Sequence, residues 1–210
     1  MVMMVTLRTI SLASLRVMLC AILLVALVLG VGYQARAAEP SNDVRQTVDQ
    51  LLRLVDERLA IAPDVAKAKW NSGDPIDAPA REAQILERVV AEATRAGINE
   101  AFAQTFFKHQ FEASKVIQHR LHEQWRQTEQ PPFESPPDLA EDIRPQLDQL
   151  TPQLMASLRD FQVVAESEGV RQYLENNAEA LVNDGVGGAA REEALRPLYE
   201  ATDTANVDVQ

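Results

Sequence analysis

Five polar residues in the middle of the chain have the types and spacing to hold and polarise an anion: Arg58, Lys69, Arg81, Ser114 and Gln118. Ten residues separate Arg58 from Lys69, and eleven separate Lys69 from Arg81. Ser114 and Gln118 stand one helical turn apart. A guanidinium presents a planar fork that fits a carboxylate, whereas a lysine ammonium is a compact point charge. Taken singly, each cation reads as a polar-face residue of an acidic helix, paired with Glu57, Asp77 or Glu82. As a set they argue for an anionic ligand, because buried charges of one sign need an opposite charge to offset their desolvation.

Other chemistries do not assemble. Cys20 is the only cysteine and sits in an N-terminal apolar run, so disulfides, thiolate zinc sites and a cysteine nucleophile are excluded from the mature chain. His119 and His122 share a helix face with only Glu123 beside them, which reads as a solvated face rather than a metal site. The run Gly185-Val186-Gly187-Gly188-Ala189-Ala190 superficially matches a nucleotide-binding glycine loop. That loop works between a strand and a helix, and here a helical segment precedes it, so it reads as an interhelix loop. No G-x-S-x-G elbow is present for serine catalysis. Neither metal nor cofactor is expected.

The elements that must position the five residues are helical throughout. Val44, Val48, Leu51, Leu52, Val55 and Leu59 recur at spacings of three and four, one amphipathic stripe capped by Ser41 or Asn42. Ala62-Pro63-Asp64 interrupts it, and a short helical piece through Lys69-Trp70 ends at Asn71–Pro75. A stripe from about Pro79 stops at Gly97, and Asn99 caps a long segment reaching Gln127. Thr128–Asp138 holds four prolines and is a loop. Periodicity resumes from Leu139 to Phe161, with Pro145 and Pro152 leaving its start or an internal kink open. Two weaker helices, about Val170–Leu181 and Ala189–Ala201, precede a frayed tail over Thr202–Gln210. No alternating strand pattern occurs. The fold class is all-α, a single-domain helical bundle of about six helices with one long helix near 99–127.

The start of the chain differs from the rest. Arg8 and Arg16 precede the charge-free run Val17–Gly32, and Ala35-Arg36-Ala37 follows. These are the three parts of a secretory signal peptide, with cleavage expected after Ala37 and a mature domain over 38–210. Three of the 20 basic residues and none of the 31 acidic ones lie in 1–37, so the mature part carries a formal charge of −14. Such a surface argues against a general grip on nucleic acid or on an anionic membrane after cleavage. The protein is expected to be periplasmic or secreted.

The order Arg58-x(10)-Lys69-x(11)-Arg81, with Pro75-Ile76-Asp77 before the last arginine and Ser114 and Gln118 on the long helix, resembles the all-helical chorismate mutases. It is most similar to their exported subclass, over roughly Val44 to Leu158. The resemblance implies rearrangement of chorismate to prephenate without metal, cofactor or covalent intermediate. It implies that Arg58 binds a substrate carboxylate and that Lys69 donates to the ether oxygen and a carboxylate. Arg81 would orient the substrate, Ser114 would donate to a carboxylate, and Gln118 would give the second donor to the ether oxygen. It leaves room for a homodimer.

Two positions depart from the family pattern. An acid often stands three residues before the second arginine, where this chain has Ala78, with Asp77 one residue off. The exported subclass adds an arginine from the helix after the proline-rich loop, and the alignment puts Gln153 there, with Arg144 the nearest arginine. Two rivals remain: an isochorismate–pyruvate lyase of the same fold, and a non-catalytic helical chaperone or adaptor of the cell envelope. The latter is expected to bury no cationic cluster and to expose an apolar groove.

Overall fold

The computed structural model describes residues 39–203; the expected leader and residues 204–210 lie outside the described residues. Seven α-helices and no strand occur among them: α1 (Asn42–Ala60), α2 (Ala62–Ser72), α3 (Pro79–Ala96), α4 (Glu100–Gln127), α5 (Arg144–Val164), α6 (Val170–Leu181) and α7 (Ala189–Asp203). A single π-helical turn, Leu139–Ile143, runs directly into α5. None of the described helices is long and apolar enough to cross a membrane.

Local chemistry sets the boundaries. The Ser41 hydroxyl accepts from the Val44 N–H at the start of α1, and the Asn99 side chain does the same for Phe102 in α4. Pro63 falls in the first turn of α2 and brings no N–H to continue the α1 ladder, so the chain bends at Ile61. Gly73 ends α2 at φ 75°, a left-handed conformation, and its N–H returns to the Lys69 carbonyl. Pro145 occupies the first turn of α5, where it is tolerated, and α5 continues through Pro152 without ending.

α4 is the spine. α2, α3 and α7 pack along it, while α1 packs on α5 and α6. The core is filled by Leu51, Leu52 and Leu59 of α1, Phe106 and Phe107 of α4, and Leu154, Leu158 and Phe161 of α5. Burying each such side chain contributes about 1.5–3 kcal/mol before the entropy of ordering it.

The C-terminal helices close over this core through specific polar ties. Tyr173 of α6 donates to Asp49 at 2.9 Å, the Asn183 N–H donates to Asp56 at 2.8 Å, and the Gln110 amide of α4 donates to the Ala194 carbonyl at 2.9 Å. Thr202 and Asp203, placed in the frayed tail by the sequence, are instead held in α7: Thr202 is buried, its hydroxyl donating to the Tyr199 carbonyl, and Asp203 pairs with Arg171 at 2.6 Å. The glycine-rich run is the expected interhelix loop, and its anion is internal. Asp184 accepts from the backbone N–H groups of Val186, Gly188, Ala190 and Arg191, so the chain's own carboxylate fills the nest at the start of α7.

Candidate active site

Arg58, Lys69 and Arg81 come from three different helices and line one cavity of about 140 Å³. Arg58 lies in the last turn of α1 and Lys69 in the last turn of α2, with exposures of only 7% and 8%. Arg81 projects from the first turns of α3, whose N-cap Ala78 supplies no capping side chain and also lines the cavity. The opposite wall is α5 and the π-turn before it: Leu139, Arg144, Leu147, Asp148 and Thr151. Val65 and Ile85 complete an apolar rim. Three arginines and a lysine thus face a single carboxylate, Asp148.

The electrostatics are those of a site short of negative charge. Burial pushes the Arg58 pKa down to about 10, partly offset by Asp148. Among the described residues its buried Nε has no hydrogen-bond partner, and its guanidinium lies 5.6 Å from the centre of the Phe111 ring. Burial likewise lowers the Lys69 pKa, against the pull of Glu82, Asp74 and Asp77. The Lys69 ammonium donates to the Ile76 carbonyl at 2.6 Å, a bond made by the reversal at Gly73. Among the described residues neither Arg58 nor Lys69 has a carboxylate within ion-pair distance. Asp148 stands nearer Arg81, at 3.7 Å, and Arg88, at 3.8 Å.

Ser114 and Gln118 do not line the cavity; both lie on α4. Phe111, Ser114 and Gln118 share one face of that helix, and Phe111 touches Arg58. One turn beyond, His122 bonds the Ala66 carbonyl of α2 at 2.8 Å, which fixes this face of α4 against α2. The Gln118 amide is buried, with Nε2 donating to the Ser114 hydroxyl at 3.0 Å and carbonyl at 3.2 Å, and Oε1 left without a partner. Lys115, next on the helix, belongs to a separate cluster. Burial works against its charge, but hydrogen bonds to Glu112 and Glu82 outweigh that and raise its pKa.

A family model described as chorismate mutase type II matches residues 44–119. A secreted chorismate mutase of Mycolicibacterium smegmatis is 33% identical over 124 residues, 59% of this chain and 66% of its own length. One from Yersinia pestis is 25% identical over 115 residues, 55% of this chain and 61% of its own length. The chain therefore spans less than two thirds of these curated relatives. The crystal structure of a chorismate mutase from Burkholderia thailandensis superposes with a TM-score of 0.66 at 35% identity, covering 72% of this chain and 98% of that one. The chain belongs to the type II chorismate mutase family.

Gln153 and Asp77, the two departures from the family's pattern, lie outside the cavity lining. Gln153 is exposed, donates to the Gln149 carbonyl, and lines a different groove, between α1 and α5. It follows Arg144 by nine residues, about two and a half turns, which puts it on the other side of α5. Arg144 is the α5 arginine that lines the cavity. Asp77 is exposed and pairs with Lys115 at 3.4 Å, whereas the adjacent Ala78 lines the cavity. The loop before α3 turns Asp77 away. The spacing Arg144, Leu147, Asp148, Thr151 is a helical stripe that sequence reasoning could have read, had Pro145 and Pro152 not obscured the register. His119 lines a groove with Asp77 and Glu112, apart from the cationic cavity.

Proposed function

We propose that the chain is an exported chorismate mutase, an isomerase converting chorismate to prephenate. The observation that carries this reading is the pair of buried cations, Arg58 and Lys69, lining one cavity with Arg81 and Arg144 and lacking any ion-pair partner among the described residues. Chorismate is a dianion whose side chain must fold over its ring before the ether bond breaks. Arg58, Arg81 and Arg144 are suited to its two carboxylates, and holding both selects the folded conformer. As the ether oxygen gains negative charge, the Lys69 ammonium stabilises it from a largely buried position. Gln118 supplies a second donor once its Nε2 turns from the Ser114 carbonyl, leaving the Ser114 hydroxyl to meet a carboxylate.

The leader reading belongs to the same proposal: residues 1–37 are removed after Ala37, and 38–210 is the exported enzyme. The names of the two secreted relatives support export.

The test is loss of chorismate absorbance on addition of purified residues 38–210, with the product identified. Prephenate is the expected product. Unchanged chorismate would refute the reading, and release of pyruvate from isochorismate would reassign the chain to the lyase.

A further inference from the structure

The proline-rich segment Thr128–Asp138 crosses from the end of α4 to the π-turn that begins the α5 wall. It is pinned near its middle by one side chain. The Asn71 Nδ2 donates to the Phe133 carbonyl at 2.8 Å, and the Phe133 N–H donates to Asn71 Oδ1 at 2.9 Å. The Phe133 ring meets Trp125 edge-on at 4.8 Å, and Trp125 meets Trp70 at 5.6 Å. Trp70 in turn packs on His122 at 5.3 Å, the residue bonded to the Ala66 carbonyl. Backbone pairing and an aromatic cluster therefore hold the same point of the strap against α2 and α4.

That point links the two elements that carry opposite walls of the cavity. Asn71 follows Lys69 by two residues on α2. Beyond Phe133, Pro136 and Pro137 restrict the backbone, and the Asp138 carboxylate then accepts from the Ala140 and Glu141 N–H groups at 2.7 Å each. Leu139 and Arg144, both lining the cavity, follow at once. Anchored at Phe133 and again at Asp138, the segment offers a covalent path from Asn71 to Arg144.

We infer that Asn71 is a positioning residue for the site, fixing the distance between the Lys69 wall and the Arg144 wall through Phe133. The inference rests on reading the cavity as a chorismate site. Asn71 does not line the cavity but shares an adjacent groove with Leu139 and Arg144, so its effect is carried by Arg144 and appears in substrate binding. Two neutral hydrogen bonds to one backbone unit set the scale: Asn71→Ala raises KM for chorismate about 3- to 10-fold, with kcat within about twofold. Asn71→Asp keeps the acceptor for the Phe133 N–H, loses the donor, and falls between.

The experiment is a double-mutant cycle on residues 38–210 with Asn71→Ala, Arg144→Ala and both. The expected result is that the double variant has the KM of Arg144→Ala alone. The chain's two tryptophans, Trp70 and Trp125, both sit half-buried in this cluster, so their emission reports docking of the strap independently of turnover. Asn71→Ala should shift it to the red while Arg144→Ala leaves it unchanged. Multiplied KM effects in the double variant, or unchanged KM and emission in Asn71→Ala, overturn the inference. If wild-type protein leaves chorismate untouched while the emission shift is present, the reading of the cavity has failed, and the role for Asn71 in positioning Arg144 falls with it.

Discussion

At the scale of single residues, the question is which groups touch the breaking bond. Lys69 is buried, its charge is disfavoured by desolvation, and its ammonium donates to the Ile76 carbonyl, which a substrate oxygen can replace. Lys69→Ala should therefore leave the helical circular dichroism intact and lower kcat by 10²–10³, about 2.7–4 kcal/mol, the usual effect of removing a preorganised donor from a developing oxyanion. Wild-type turnover in that variant would make Lys69 a bystander. Gln118 gives a sharper test because its amide donates at any pH and has no proton to lose. The wild type should show kcat nearly flat across neutral pH. In Gln118→Glu the side chain can donate only when protonated, and an ordinary glutamate titrates near pH 4.3, so turnover should fall as pH rises. Gln118→Ala should be slow at every pH. Superimposable profiles of kcat against pH for wild type and Gln118→Glu would show that position 118 does not reach the ether oxygen.

At the scale of helices, the site depends on which face of α5 meets the cavity. Arg144, Leu147, Asp148 and Thr151 form that face, and Gln153 lies on the other. Arg144→Ala should raise KM about 10- to 100-fold, the effect of losing one charged hydrogen-bonding partner of a carboxylate, while Gln153→Arg leaves KM unchanged. A lower KM in Gln153→Arg would restore the alignment that put position 153 in the site. The end of α4 offers a stability test. Glu129 adopts φ 51°, a left-handed conformation, where the chain turns and the Gln130 N–H reaches back to the Trp125 carbonyl at 2.9 Å. A side chain there is strained, so Glu129→Gly should stabilise by up to about 1 kcal/mol in denaturant melts, net of the extra freedom glycine has when unfolded. The helices themselves were legible because one buried stripe repeats every three or four residues, and Ser41, Asn99, Gly73 and Gly97 mark their ends chemically. Arg58, Lys69 and Arg81 were legible as a set through their order. Asp148 was not, since a carboxylate in an acidic chain looks like surface. The Asn71–Phe133 pairing joins positions 62 residues apart with no periodicity to announce it.

At the scale of the whole molecule, α6 and α7 act as a clasp on α1 and α4, and Asp184 holds the clasp shut. It is a buried carboxylate at the start of α7 whose two oxygens take four backbone N–H groups. Burial alone would raise its pKa, but the hydrogen bonds from Arg191, Gly188, Val186 and Ala190 outweigh it and hold the pKa below the ordinary aspartate value. A carboxyl group with a depressed folded pKa contributes stability that is fully present above its unfolded pKa, near 3.9, and is lost as pH falls through the folded value. Removing the side chain leaves N–H groups without partners in a buried turn. Asp184→Ala should cost about 2–4 kcal/mol at neutral pH, a drop in Tm of roughly 5–15 °C for a domain of this size. Asp184→Asn keeps the shape and one acceptor oxygen but not the charge, so its deficit should be smaller. That deficit should be constant from neutral pH down to about pH 4 and shrink below it, as the wild-type carboxylate takes up its proton. The measurement is Tm against pH for wild type and Asp184→Asn at matched ionic strength. Curves that stay parallel well below pH 3 would mean that the hydrogen-bonding shape of residue 184, and not its charge, closes the clasp over α4.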